Sequence, residues 1–494
     1  MMSGVTTSYR ARDGVMVGRI LDSSPEQTAE SVDRACVAIR PLADTAPAQR
    51  RSWLDHLAAV LLDHRDELAA LADAETALGM PRLTGEVERM AAQLRFYGDV
   101  AAEGSYLGVS VDTGPSLVRV NQPLGPVAVF GASNFPFAFG VLGNDTASAL
   151  AAGCPVVAKA HPAHALLSER LAELALQALR EAGAPNGAFG MVRGLQAGAD
   201  LVRAAGVAAV GFTGSQPGGL ALWRLANERE IVIPVYAEMG TVNPAVLTAR
   251  GAVARATEVA EGFVASFTLG SGQFCTKPGL LLAPAGRSMP EAVGRALTAL
   301  APHSTMLTRG IADAVQMGVK ELMAAGAELV TAAPGPGTGW SADAAVLRVS
   351  TAALAQGGRL HQECFGPVAL VVEYDDPQDL REALAGLQGS LTGTVFTDGT
   401  DTDPDAAWLM LALAGKVGRV TVNEWPTGVA WTWAQQHGGP WPATSRPEAT
   451  SVGAAALDRW VRPVAYQGVP DHWLPPAGRA DNPWRVPQRR DDVG

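Results

Sequence analysis

Cys275 lies in FTLGSGQFCTKPG, where Gly270 and Gly272 let the backbone approach a ligand and Lys277 follows closely. A thiol in a glycine-rich turn beside a cation is expected to have a lowered pKa and to act as a nucleophile. Glu238 ends the apolar run IVIPVYAE. A carboxylate there is expected to be partly desolvated, which raises its pKa toward that of a general base. The same position equally suits a structural salt bridge. Asn134, in ASNFPFAF, carries an amide able to donate to a developing oxyanion, and an Asn there also suits a plain turn.

A second group of residues suits anion binding. FTGSQPGG (212–219) follows an apolar run and precedes a helical one, with Gly214, Gly218 and Gly219 permitting tight turning. A helix N-terminus after glycines offers free N–H groups to a phosphate. The spacing is not GxGxxG, so the segment also reads as an ordinary strand–helix turn. Lys159 ends PVVAKA, at the carboxyl end of a strand, where open α/β sheets bind ligands. A solvated lysine fits as well. His161 and His164 follow, as phosphate ligands or surface residues. Cys36 and Cys154 read as packing thiols, whereas Cys364, in QECFGP, has neighbours that look functional.

These residues need elements to hold them. Ser24-Pro25-Glu26 starts a helical stretch over 24–75. Residues 109–120 read as a hairpin about a Gly-Pro turn, packed on its own domain or extending a neighbour's sheet. From 126 onward, apolar strands (PVAVF, PVVAKA, VAAVGF, IVIPVYAE) alternate with helices. A second alternating block covers about 244–422, with GLLLAP, VALVVEY and RVTVN as strands. Such alternation means a parallel sheet covered on both faces, an α/β fold.

Composition narrows the class. Lys+Arg 38 against Asp+Glu 49 gives a net charge of −11, a poor match to nucleic acid or other polyanions. Hydrophobic residues make up 48% and charged ones 18%, which suits large buried sheets or a wide subunit interface. Four widely spaced cysteines cannot staple 494 residues or form a CxxC metal site, so no metal is expected and a reducing, cytoplasmic setting fits. No run is long and apolar enough for a membrane span, and the N-terminal residues show no signal-peptide core.

Read together, PLGPVAVFGASNFPF (123–137), AAGCPVVAKAHPAH (151–164), VGFTGSQPGG (210–219), AEMGTVNP (237–244), GSGQFCTKPG (270–279) and QECFGP (362–367) resemble the aldehyde dehydrogenase superfamily. WPTGV, HGGPWPAT and TSVGAAAL extend the likeness over essentially the whole chain. KAHPAH, GQFCTKPG and HGGPxPAT resemble the bacterial 2,5-dioxovalerate (α-ketoglutaric semialdehyde) dehydrogenases and the NADP-preferring fatty aldehyde dehydrogenases. The resemblance implies a Rossmann-like cofactor domain, an α/β catalytic domain and a β oligomerisation arm. The corresponding expectations are a dinucleotide-binding domain over 1–237 with its hairpin at about 109–125, a catalytic domain over 238–430, and a C-terminal segment over 431–494.

It also implies roles. Cys275 attacks the aldehyde, Asn134 and a backbone N–H hold the oxyanion, and Glu238 activates water to release a carboxylic acid from a thioester. Retention of Glu238 argues against coenzyme A as acyl acceptor; a catalytically silent binding member of the fold is the other alternative. Gly214, Ser215 and Gly219 match the phosphate turn, Lys159 the ribose lysine, and Glu363 and Phe365 the pair that positions the nicotinamide half. Pro162 stands where NAD-selective relatives often carry a glutamate, so Lys159, His161 and Arg193 are free to receive a 2′-phosphate. NADP is favoured, with NAD use left open. Phe137, Phe267, Phe274, Trp431 and Trp433 are the candidates for the substrate pocket. Arg89 and Arg95, on one helix, read as a carboxylate anchor or, more simply, as a solvated face. The expected partners are a small aldehyde and a second copy of the chain, as homodimer or homotetramer, with no nucleic acid and no membrane.

Overall fold

The computed structural model describes residues 4–491. Its first helix runs Pro25–Ala43, started by a reciprocal capping box between Ser24 and Gln27 with proline in the first turn. Helices Pro47–Asp63, Arg65–Thr76, Met80–Glu103 and Ala165–Glu181 bury their Leu, Ala and Val faces in one large apolar cluster against one face of a five-stranded sheet.

That sheet is parallel throughout. Its order is Phe189–Val192, Val156–Lys159, Val127–Phe130, Ala209–Gly214, Val235–Met239. The first strand in sequence is therefore central, and the chain winds outward from it in both directions. Open sheets of this kind bind ligands at the carboxyl ends of the strands where the winding reverses. Here that point lies between Phe130 and Phe212, with Lys159 one strand away.

A seven-stranded sheet follows, in the order Glu328–Ala333, Ala344–Ser350, Val368–Tyr374, Leu280–Pro284, Pro244–Leu247, Ser390–Phe396, Val417–Val422. Only its first pair is antiparallel. Pro244–Leu247 and Ser390–Phe396 are buried at every position, as strands covered on both faces must be.

The hairpin of Val109–Asp112 and Leu117–Pro123 joins strands of its own chain. Val461–Gln467 pairs with one side and Gln488–Arg490 with the other. On its way there the C-terminal segment crosses the helix Asn144–Ala152, all nine residues of which are buried. Arg459 forms a buried ion pair with Asp145 at 2.8 Å, and Trp460 Nε1 donates to Ser148 Oγ at 2.9 Å. These contacts fix the chain near 451 beneath the end of the five-stranded sheet. Among the described residues, no helix is long and apolar enough to cross a membrane.

Candidate active site

Cys275 is placed by a turn with three successive left-handed residues, Gly270 (φ 56), Ser271 (φ 60) and Gly272 (φ 69). Gly272 has a second constraint. A Cβ there would stand 2.2 Å from the Gly366 carbonyl oxygen, so only glycine lets the turn lie against 363–366. Asn243 Nδ2 donates to the Cys275 carbonyl at 2.7 Å and the Lys277 carbonyl at 3.0 Å, holding the turn from the other side.

The Lys277 ammonium spends its three donors on the carbonyls of Cys364, Gly366 and Val368, at 2.8, 3.0 and 2.8 Å. It pins QECFGP to the cysteine turn rather than lowering the thiol pKa. Burial pushes the Cys275 thiol well above its ordinary value, and the carboxylates of Glu238 and Glu363 push it the same way. This reverses the expectation of a lowered pKa. A lysine two residues on in a tight turn is saturated by backbone carbonyls, while the two acids come from elsewhere in the chain.

Glu238 ends Val235–Met239 and is 3% exposed. Its Oε1 lies 2.9 Å from His437 Nε2, and its Oε2 accepts from Ser451 Oγ. His437 Nε2 lies 3.6 Å from Cys275 Sγ, so the imidazole stands between the acid and the thiol. Reactive atoms of all three residues fall within 4.8 Å of one another. Burial pushes the Glu238 carboxyl up, but His437, Ser451 and Arg459 outweigh it and the net direction is down. The expectation of a raised value saw only the burial.

Asn134 is 6% exposed. Its amide donates one hydrogen to the Gln273 carbonyl at 2.7 Å, and Arg82 Nη2 holds its own carbonyl at 2.6 Å. An amide has two donors, so the second remains for an oxygen above the cysteine turn.

The opposite flank gathers the residues expected to meet a dinucleotide. Ser215 caps the helix Gln216–Asn227, accepting from the Gly218 N–H, at the end of Ala209–Gly214. Gly240 donates to the Gly214 carbonyl at 3.1 Å and accepts from Gln216 Nε2 at 2.9 Å. A Cβ on Gly240 would stand 1.8 Å from Glu363 Oε2, so Glu363 reaches across to the phosphate turn. Burial pushes the Glu363 carboxyl up to about 7 against the pull of Lys277 and Arg359. Its Oε1 is buried with no protein partner, an acceptor that a ribose hydroxyl satisfies. Phe365, two residues on, is half-buried.

Lys159 lies at its strand end, held down to about 8 by burial, with Asp22 acting the other way. His161 stacks on His164 at 5.4 Å, its Nδ1 accepts from the Ala163 N–H, and burial keeps it neutral. Arg193 is engaged by both carboxylate oxygens of Glu169, so it is not a free cation.

The surroundings of Asn134 are aromatic. Ala132, Phe135, Ala138, Phe139 and Val452 form an apolar cluster, with Phe274, Val429 and Trp431 against it. Phe274 and Trp431 thus meet the residues flanking Asn134. The other expected pocket residues lie elsewhere. Phe137 is 0% exposed in the core beneath the five-stranded sheet, and Phe267 is 0% exposed against Phe263 beside the seven-stranded one. Neither presents surface to a ligand. Successive residues in FPFAF point in different directions, and the sequence alone assigned Phe137 to the wrong one. Trp433 is 56% exposed and outside the cluster. Arg95 is exposed, as a solvated face requires, but Arg89 turns inward over Trp431.

Sequence reasoning missed His437, Ser451, Asn243, Phe135 and Phe139. All five sit in segments that carry the superfamily likeness, HGGPWPAT, TSVGAAAL, AEMGTVNP and ASNFPF with its continuation. The signal was present as a motif without a spatial role.

A parallel sheet with a glycine turn for a dinucleotide, facing a cysteine with an acid and an amide beside it, defines an enzyme that oxidises aldehydes. The profile of the aldehyde dehydrogenase family matches residues 4–440, and the chain belongs to that family. It is an oxidoreductase that uses a nicotinamide dinucleotide to oxidise an aldehyde to a carboxylic acid. It is 43% identical over 478 residues to α-ketoglutaric semialdehyde dehydrogenase 2 of Azospirillum brasilense, covering 93% of this chain and 91% of that one. It is 38% identical to α-ketoglutaric semialdehyde dehydrogenase of Acinetobacter baylyi, with the same coverage. Aldehyde dehydrogenase C of Pseudomonas syringae, solved with NAD+ and octanal, shares the fold at a TM-score of 0.80 and 20% identity, over 94% of this chain and 93% of that one.

Proposed function

We propose that the chain oxidises a short semialdehyde bearing a distal carboxylate, such as 2,5-dioxopentanoate, with NADP as the preferred acceptor. The names of its two relatives support the substrate. The contact of Cys275, His437 and Glu238 carries the mechanism.

The thiol is unreactive until it loses its proton, because burial and two acids raise its pKa. His437 Nε2, nearest to Sγ, receives that proton. Sγ then bonds to the aldehyde carbon. The free N–H of Asn134, with a backbone N–H at Cys275, takes the charge on oxygen. A nicotinamide ring held by Glu363 and Phe365 would supply the hydride acceptor for this carbon. Cys275 then carries the acyl group as a thioester. Glu238 takes a proton from water, the oxygen bonds to the acyl carbon, and the Cys275 sulfur leaves with a proton returned through His437. Glu363 and the turn at Gly214, Ser215 and Gly219 would hold the ribose and phosphates, and Phe365 would help to position the ring. Lys159 and the His161 Nε2–H would receive the 2′-phosphate, since Pro162 leaves no acid there to repel it. The assembly is a homodimer or homotetramer in the cytoplasm, supported by the low charged fraction.

The test is absorbance at 340 nm with 2,5-dioxopentanoate, succinic semialdehyde, pentanal and octanal, each with NADP and NAD. The expected result is the highest kcat/KM for 2,5-dioxopentanoate with NADP. A preference for octanal, or for NAD, refutes the corresponding half.

A further inference from the structure

Arg89 projects from Met80–Glu103 into the aromatic cluster. Its guanidinium lies 5.0 Å from the Trp431 ring and 5.7 Å from each of Phe135 and Phe139. One nitrogen, Nη2, donates to the Val429 carbonyl at 3.0 Å, while Nε is buried with no partner. Arg419 is arranged alike. Its Nη2 donates to the Pro426 carbonyl and its Nε is also buried without a partner. Both cations act electrostatically on Cys275. Among the described residues, neither forms an ion pair within 4.0 Å, although the chain has 24 such contacts elsewhere.

The acid beside Arg89 does not neutralise this end. Glu86 Oε1 accepts from the N–H groups of Phe137 and Ala138, and the same carboxyl faces Arg82 at 4.0 Å. Two guanidiniums thus share one carboxyl that burial already pushes toward its neutral form. A half-buried cation without an acid partner is costly unless a ligand supplies the anion. Aromatic faces stabilise the guanidinium but cannot satisfy its N–H groups.

We propose that Arg89 selects aldehydes with a distal carboxylate, by receiving that carboxylate on its unpartnered Nε–H in the aromatic cluster. This rests on the semialdehyde reading above and assigns its specificity to a residue. The same geometry excludes a cationic substrate, because the Trp431 face is already occupied by a guanidinium.

The experiment compares 2,5-dioxopentanoate with pentanal, equal in carbon count, in the full-length wild type, Arg89→Gln, Arg89→Lys and Arg419→Gln. A ratio of kcat/KM values within one preparation is insensitive to partial misfolding. In Arg89→Gln the preference for the carboxylated aldehyde falls about 10- to 100-fold, the effect of one hydrogen bond to a charged group, and the fall is carried by KM. Arg89→Lys retains part of it, and Arg419→Gln lowers it less. A wild type without preference overturns the semialdehyde reading, and this inference with it. A wild type with preference whose Arg89→Gln variant keeps it overturns the Arg89 assignment alone, as does an equal loss on both aldehydes. In the wild type itself, 2-oxoglutarate slows iodoacetamide labelling of Cys275 and pentanoate does not. Equal protection by both overturns the assignment even if Arg89→Gln does not fold.

Discussion

Replacing Glu238 by Gln separates two effects of one carboxylate that usually go together. Its negative charge opposes ionisation of Cys275, and its basicity serves deacylation. The reactive atoms lie within 4.8 Å of one another. At that distance two unit charges interact by about 3.5 kcal/mol at an effective dielectric of about 20, or about 1.7 kcal/mol at about 40. Removing the charge therefore lowers the thiol pKa. At a pH below both values, the thiolate population rises about 20- to 300-fold. The assay is iodoacetamide alkylation from pH 6 to 10, with Cys275 followed by peptide mass. Glu238→Gln moves the midpoint down and speeds alkylation at pH 7.5. Steady-state turnover moves the opposite way and falls about 10²- to 10⁴-fold for loss of a general base. Intact mass then shows an acyl adduct. If alkylation slows together with turnover, Glu238 is needed to deprotonate the thiol, and the electrostatic reasoning is refuted.

Three other perturbations probe the same frame. Asn134→Ala removes the amide that Gln273 orients, and kcat falls about 10²- to 10³-fold, as for loss of one oxyanion donor; a change carried only by KM contradicts the role. Arg459→Met leaves Asp145 buried without its cation and costs about 3–5 kcal/mol, read as a lower thermal midpoint, whereas adding Asp145→Asn recovers much of the loss. Glu363 titrates near 7 because burial raises it, so its protonated form prevails below that pH and the carboxylate above it. In the proposed site the carboxylate would accept from a ribose hydroxyl, so KM for the dinucleotide falls as pH rises from 6 to 8; Glu363→Gln flattens the profile, and an unchanged slope removes Glu363 from the site.

Much of this protein could be read one segment at a time. Strands covered on both faces need uninterrupted apolar runs, so VAVF and PVVAKA declared a parallel sheet without reference to neighbours. The Ser24-Pro25 helix start, and the glycine turns before Ser215 and Cys275, are local conformational needs and equally legible. The family likeness followed because those segments carry their chemistry in contiguous motifs.

What tertiary structure alone decided depends on distance through space. His437 meets Cys275 from 162 residues away, and Ser451 meets Glu238 across 213. The two pKa directions reversed for this reason: Lys277 is adjacent in sequence but turned to carbonyls, while distant groups set the field at the thiol and the acid. Side-chain direction inside an irregular loop has no period, so Phe135 and Phe139 could not be told from Phe137 until the chain was folded. The sequence named the class of reaction and offered a candidate nucleophile and base. Only the fold showed that His437 lies against Cys275 and that the Arg89 Nε is buried in the aromatic cluster without a partner.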